Sequence, residues 1–95
     1  MLLITVRYSI KPGQRKAFLD AVADIGFQAA CKAENGCIAY DYYLPLDSAD
    51  ALFLFETWEN RDVWEVHKTA PHFAGFKPLK EKYILDSKID LFDTV

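Results

Sequence analysis

Between Glu56 and Phe76 the chain reads ETWENRDVWEVHKTAPHFAGF, a stretch that holds both histidines and both tryptophans of the 95-residue sequence, with Phe73 and Phe76 beside them. Histidine changes charge near neutral pH, so His67 in an apolar cleft can take a proton from a weakly acidic substrate. Glu56, two residues before Trp58, can orient that imidazole or stabilise its protonated form. His72 is a second candidate for the same role. Small-molecule sites are mostly apolar clefts in which a few polar groups converge. Trp58, Trp64, Phe73 and Phe76 could supply such a wall, and Glu56, His67 and His72 the polar groups. Each residue also has a plainer reading. A lone helical histidine is usually half-buried and hydrogen-bonded to backbone, and single tryptophans are usually core. A metal site is disfavoured, because His67 and His72 are five apart and diverge on a regular helix.

The elements that must position these residues follow from periodicity. LLITVRYSI (2–10) alternates, with Leu2, Ile4, Val6, Tyr8 and Ile10 on one face, which predicts a half-buried strand. Arg7, on the sparser face, reads as a solvent-facing charge in preference to an anion anchor. After the turn at Lys11-Pro12-Gly13, Phe18, Val22, Ile25 and Ala29 lay a stripe along a helix expected from about Gln14 to Lys32, stopped by Glu34-Asn35-Gly36. CIAYDYYL (37–44) and ALFLFETW (51–58) read as strands joined by a hairpin loop. In the second of them Leu52, Leu54, Glu56 and Trp58 share a face. Asn60 suits a helix cap, Pro71 the first turn of another helix, and Pro78 limits regularity, giving a broken helical region from Arg61 to about Lys82. ILDSKIDLF (84–92) has the β-branched and apolar content of a fourth strand.

The order strand, helix, strand, strand, helix, strand is the ferredoxin-like arrangement: one α+β domain, residues 1–95, with its helices on one face of an antiparallel sheet. Tyr43, Phe53 and Phe55 lie in the register opposite to Tyr40, Tyr42, Leu52 and Leu54, so the central hairpin is apolar on both faces. A symmetric partner subunit is the simplest cover for the second face.

Composition narrows the function classes. A formal net charge of −3 and a pI near 5.2 argue against nucleic acid as partner. No apolar run approaches the ~20 residues that span a bilayer, and MLLITVRYSIKPG lacks the marks of a signal peptide, so a cytoplasmic protein without membrane association is expected. Cys31 and Cys37 fit neither a zinc nor a thioredoxin-type spacing and read as small apolar residues kept reduced.

ENGCIAYDYY, LFLFETWEN and HKTAPHFAGF together resemble the antibiotic biosynthesis monooxygenase family of dimeric α+β barrels, over most of the chain. The resemblance implies a homodimer whose two sheets close into a barrel, each subunit keeping a pocket between its sheet and helices. Tyr40, Tyr42, Trp58, Trp64, Phe73 and Phe76 would bind substrate, and His67, His72 and Glu56 would act on it. The activity implied is a monooxygenation that uses dioxygen and no metal or flavin, on a quinol or an anthrone-like phenol, with a histidine base. A second member chemistry, processing of the phosphorylated autoinducer-2 signal, would need a proton shuttle and a phosphate anchor, for which Lys68 and Lys77 are available. The haem-degrading branch is disfavoured, since Ile4-Thr5-Val6-Arg7 lacks its asparagine, and His67 and Lys77 stand where the resemblance places its tryptophan and histidine. A non-catalytic dimeric module binding a small aromatic ligand would need the aromatic pocket but not the imidazole.

Overall fold

The computed structural model describes residues 1–94; Val95 lies outside the described residues. Strand β1 (Leu2–Ile10) buries every second side chain as its alternation requires. It forms the interior of a four-stranded antiparallel sheet together with β3 (Ala51–Trp58), flanked by β2 (Cys37–Tyr43) and β4 (Ile84–Asp93) in the order β2-β3-β1-β4. The register sets Ile4 opposite Glu56, Val6 opposite Leu54 and Tyr8 opposite Leu52. One sheet face thus carries an apolar column interrupted by a single carboxylate, with Leu2 and Trp58 paired beyond it. Helices α1 (Arg15–Asp24), α2 (Phe27–Lys32), α3 (Arg61–His67) and α4 (Phe73–Tyr83) complete the element order. They cover that face, giving the ferredoxin-like fold; the sheet of the single chain is open, not a closed barrel. Among the described residues, no helix is long and apolar enough to cross a membrane.

The core lies between sheet and helices. Phe18 is fully buried and meets Tyr8, Phe76 and Tyr83 edge-on at centroid distances of 6.3, 6.2 and 5.8 Å. Such aromatic pairs add about 0.5–1.5 kcal/mol each beyond the area they bury. These contacts fasten α1 and α4 to β1, and through them the helical wall of the cavity described below.

The single helix expected from Gln14 to Lys32 is two helices. Gly26 takes a left-handed conformation (φ 65°) that only glycine adopts cheaply, and its N–H turns back to the carbonyl of Ala23. The break resets the helical phase. Phe18 and Val22 are buried as the stripe predicts, but Ile25 and Ala29 are exposed, and Phe27 and Cys31 take the inward positions instead. The cap at Asn60 forms as expected, its side chain accepting from the Val63 N–H at 3.0 Å. Pro71 precedes α4 without entering it, and Pro78 sits inside that helix. There it removes one backbone donor without ending the helix, which runs on to Tyr83.

The face of the sheet away from the helices carries Leu3, Phe53, Phe55, Tyr43 and Phe92, with Phe55 aligned to Thr5 and Asp41 on the neighbouring strands. Tyr43 and Phe92 are exposed and Phe53 and Phe55 half-buried. Arg7 stands on the same face and pairs with Asp47 at 3.1 Å, at a solvent exposure where such pairs contribute little. An apolar patch on one sheet face predicts a two-fold dimer formed through it. Light scattering at micromolar concentration should give twice the chain mass of 10.9 kDa. The Phe53→Glu, Phe55→Glu double variant should run as a monomer, and a wild-type monomer would contradict the dimer.

Candidate active site

Three segments deliver the polar groups. Glu34 leaves the end of α2 in a tight turn, its N–H bonded to the Cys31 carbonyl and its own carbonyl to the Cys37 N–H. His67 is the last residue of α3. His72 follows a non-helical stretch in which the Thr69 and Ala70 N–H groups close turns onto Val66 and His67. That interruption is what the spacing argument lacks: five residues across a helix break do not diverge. Both rings meet the same carboxylate oxygen, Glu34 Oε2, His67 through Nδ1 at 2.6 Å and His72 through Nε2 at 2.9 Å.

Gly36 holds these segments in register. It has φ 82°, and a Cβ there would lie 2.6 Å from the Val63 side chain on α3. Its carbonyl also accepts the Glu59 N–H at 2.9 Å, just ahead of the Asn60 cap. The turn after Glu34 and the start of the His67 helix are therefore packed with no room for a side chain between them.

A carboxylate only accepts, so the His67 nitrogen that faces Glu34 carries a proton and the other, Nε2, is left with its lone pair. Nε2 points to the sheet, 3.7 Å from Glu56 Oε1. That separation is too long for a hydrogen bond. Glu56 Oε1 instead accepts from the Trp58 indole N–H at 3.0 Å. The His67 ring is clamped by Trp58 at 4.5 Å, Phe73 at 4.9 Å and Tyr40 at 5.8 Å between centroids. Burial, partly offset by the Glu34 hydrogen bond, holds its pKa below the ordinary histidine value, so the ring is neutral and basic at neutral pH. Burial likewise pushes Glu56 up to about 7, against the lowering effect of the Trp58 N–H.

Nε2 opens on a cavity of about 250 Å³ between sheet and helices. Ile4, Val6, Tyr8, Tyr40, Glu56, Trp64, Phe73 and Phe76 wall it, with Lys68, Lys80 and Ile89 completing the lining. On the other side of the Glu34 carboxylate, a groove of about 520 Å³ exposes Glu34 and His72 between Asn35, Val63, Val66 and Pro71. Glu34 thus stands between solvent and cavity, with one histidine on each side.

Of the residues singled out in the sequence, Glu56, His67, Tyr40, Trp64, Phe73 and Phe76 converge on the cavity. Trp58 does not line it; fully buried, it backs His67 and Glu56. Tyr42 also lies outside the lining, and its hydroxyl is buried with no hydrogen-bond partner among the described residues. His72 belongs to the outer groove, and Phe73 stacks against it at 5.7 Å. Sequence reasoning took Glu34 as part of a helix stop and of the ENGC run and gave it no role in the site, and it did not single out Lys80, which lines the cavity. No local spacing signalled Glu34, because it lies in the turn after α2 and meets the two histidines across 33 and 38 residues of chain.

Residues 1–79 match the antibiotic biosynthesis monooxygenase family. The chain belongs to that family. Among solved structures, a family protein described as an antibiotic biosynthesis monooxygenase superposes with a TM-score of 0.84 at 24% identity, covering 100% of this chain and 99% of its own. A Pseudomonas aeruginosa protein gives 0.84 at 23% identity over 99% of this chain and 93% of its own. A Bacteroides thetaiotaomicron protein of unknown function, suggested to be an oxidoreductase, gives 0.83 at 25% identity over 98% and 96%. No curated protein matches the chain. This family member therefore shares its fold with proteins named for oxygen chemistry, at identities that leave the site to be argued from its own residues.

The Glu56 environment makes a stability prediction. Its pKa is higher folded than unfolded, so its contribution is fully present below about pH 4.5 and is lost as pH rises through about 7. At pH 8, ionising it inside the fold costs up to about 3 kcal/mol relative to water. Glu56→Gln keeps an acceptor for Trp58 without the charge. Its melting temperature relative to wild type should therefore improve between pH 5 and pH 8. A difference independent of pH would show that Glu56 is ionised throughout.

Proposed function

We propose that this family member is a monooxygenase acting on a small electron-rich phenol of the quinol type, using dioxygen without metal or flavin, with His67 as general base. The observation that carries the reading is the Glu34 hydrogen bond to His67 Nδ1, which leaves a basic Nε2 facing an aromatic cavity. Nε2 takes the phenolic proton, and Glu34 stabilises the imidazolium so formed. The phenolate is electron-rich enough to reduce dioxygen and combine with it, and the imidazolium returns its proton to the peroxide. Loss of water then leaves a hydroxyquinone. A quinol supplies all four electrons in this sequence, one oxygen atom entering the product and the other leaving as water, so no external reductant is required. The apolar walls keep bulk water from the reduced oxygen species. A volume of about 250 Å³ lies just below the roughly 300 Å³ at which common ligand sites begin. It favours a one- or two-ring quinol over a three-ring anthrone.

A second reading has a specific support. Lys68 and Lys80 line the cavity, and both join Lys77 around an adjoining hollow of about 390 Å³. These ammonium groups suit an anionic substrate such as a phosphorylated linear ketone of the autoinducer-2 kind, for which His67 would shuttle a proton without oxygen. A ligand-binding module without catalysis would use the same aromatic walls.

Oxygen uptake separates these readings. A panel of benzo- and naphthohydroquinones, corrected for autoxidation and free of added metal, flavin or nicotinamide, should consume oxygen with the protein. The phosphorylated ketone should not. His67→Ala and His67→Gln should both lower turnover by ~10²- to 10⁴-fold, the usual worth of a positioned base. Gln restoring activity while Ala lowers only the melting temperature would reduce His67 to a packing residue and overturn the assignment.

A further inference from the structure

The groove that exposes Glu34 and His72 leads to a cluster of which the oxygenase reading uses only Glu34 and His67. Cys31 Sγ, a Glu34 carboxylate oxygen, a His67 ring nitrogen and a His72 ring nitrogen all lie within 4.8 Å of one another. Thiolate, carboxylate and imidazole are the three side-chain types that bind zinc, and four such ligands make a closed tetrahedral set. We propose that Cys31, Glu34, His67 and His72 form a binding site for a divalent zinc-like cation, and that the cation inhibits the enzyme by taking the His67 nitrogen on the Glu34 side.

Forming the site requires shifts of about 1 Å, since the ligand atoms now lie up to 4.8 Å apart. Bonds of about 2.0–2.3 Å place ligand atoms roughly 3.3–3.8 Å apart around a tetrahedral cation. Glu34 Oε2 now sits 2.6 Å and 2.9 Å from the two histidine nitrogens, so the carboxylate withdraws by under about 1 Å as the cation replaces the shared protons. Rotation of a side chain at the end of α2 supplies that movement, because Glu34 lies in a turn and not in the helix. Entry is from the groove, where His72 and Glu34 are reachable from solvent, while Cys31 closes the site from within. Cys31 is the costly ligand. Burial pushes its thiol up to about 12, so the thiolate forms only as the cation arrives. The packing around the cluster is rigid: Phe27 lies edge-on to His72 at 5.5 Å, and Phe73 contacts both histidine rings.

The inhibitory part rests on His67 being the base. A neutral imidazole bound to metal through Nδ1 carries its proton on Nε2, so the nitrogen that faces the cavity becomes a donor and cannot accept from substrate. Binding of the cation and catalysis exclude one another at a single ring.

Cobalt(II) reports such a site directly. Titrating the reduced protein anaerobically with cobalt(II) should produce, at one equivalent per chain, intense four-coordinate visible bands and a near-ultraviolet thiolate-to-cobalt charge-transfer band, both bleached by zinc. Cys31→Ser and Cys31→Ala should lose the charge-transfer band, His72→Ala should weaken binding at least ~10-fold, and Cys37→Ser should change neither. Weak octahedral spectra at excess cobalt, or a charge-transfer band that survives in the Cys31 variants, would overturn the site. Zinc should inhibit quinol-dependent oxygen uptake in the wild type at the concentrations that bleach cobalt, and Cys31→Ala, compared with its own zinc-free rate, should resist zinc. Bands without inhibition would refute the inhibitory role alone. Absence of any quinol turnover in metal-free protein would refute the oxygenase reading and leave the cation site standing on its spectra.

Discussion

The rest of the site depends on one hydrogen bond, from His67 to the Glu34 carboxylate. It joins the turn after α2 to the end of α3, beyond the point where the pairing of β2 with β3 stops. Without it neither histidine has a defined face. With it, the inner ring presents a bare nitrogen to the cavity and the outer ring sits against solvent. The surrounding structure is arranged to keep that bond in place. Gly36 lets the turn lie flat on Val63, Asn60 caps the helix that carries His67, and Trp58, Tyr40 and Phe73 leave the ring little freedom to rotate.

The same carboxylate sets the electrostatics. Glu34, His72 and the buried Cys31 thiol lie on one side of His67 and Glu56 on the other, with Tyr40 edge-on to the ring. Burial drives Glu56 up to about 7 and His67 below its ordinary value, so the order that the two groups have in water is lost inside the fold. A proton placed near either is then easily moved. Glu56 also faces the cavity, beside the Nε2 edge of His67. Tyr8 and Tyr40, pushed upward chiefly by their own burial, stay protonated and wall the cavity.

Much of this was legible in the letters. Period-two alternation in β1 and β3 gave both the sheet and the inward direction of Glu56, because a strand admits only two faces. The cluster of His67, Trp64, Phe73 and Phe76 followed from adjacency in the chain. What escaped is long-range. Gly26 was indistinguishable from an ordinary helical glycine until its left-handed backbone showed, and the phase of everything after it, Cys31 and Glu34 included, turns on that one residue. The meeting of His67 with His72 escaped for a related reason, since helix spacing was applied across residues that are not helical. Trp58 and Tyr42 show the converse error: sharing a face with pocket residues does not put a side chain in the pocket when a neighbouring ring stands in front of it.

The most direct test of the account is the tautomer of His67. Two-bond proton–nitrogen correlation spectra of protein labelled at histidine nitrogen distinguish a ring protonated at Nδ1, at Nε2 or at both, with His67→Gln giving the assignment. The account predicts a neutral His67 protonated at Nδ1 at neutral pH, reverting to a mixture of tautomers in Glu34→Ala. A ring protonated at Nε2, or doubly protonated at neutral pH, would leave no basic nitrogen in the cavity and would contradict it.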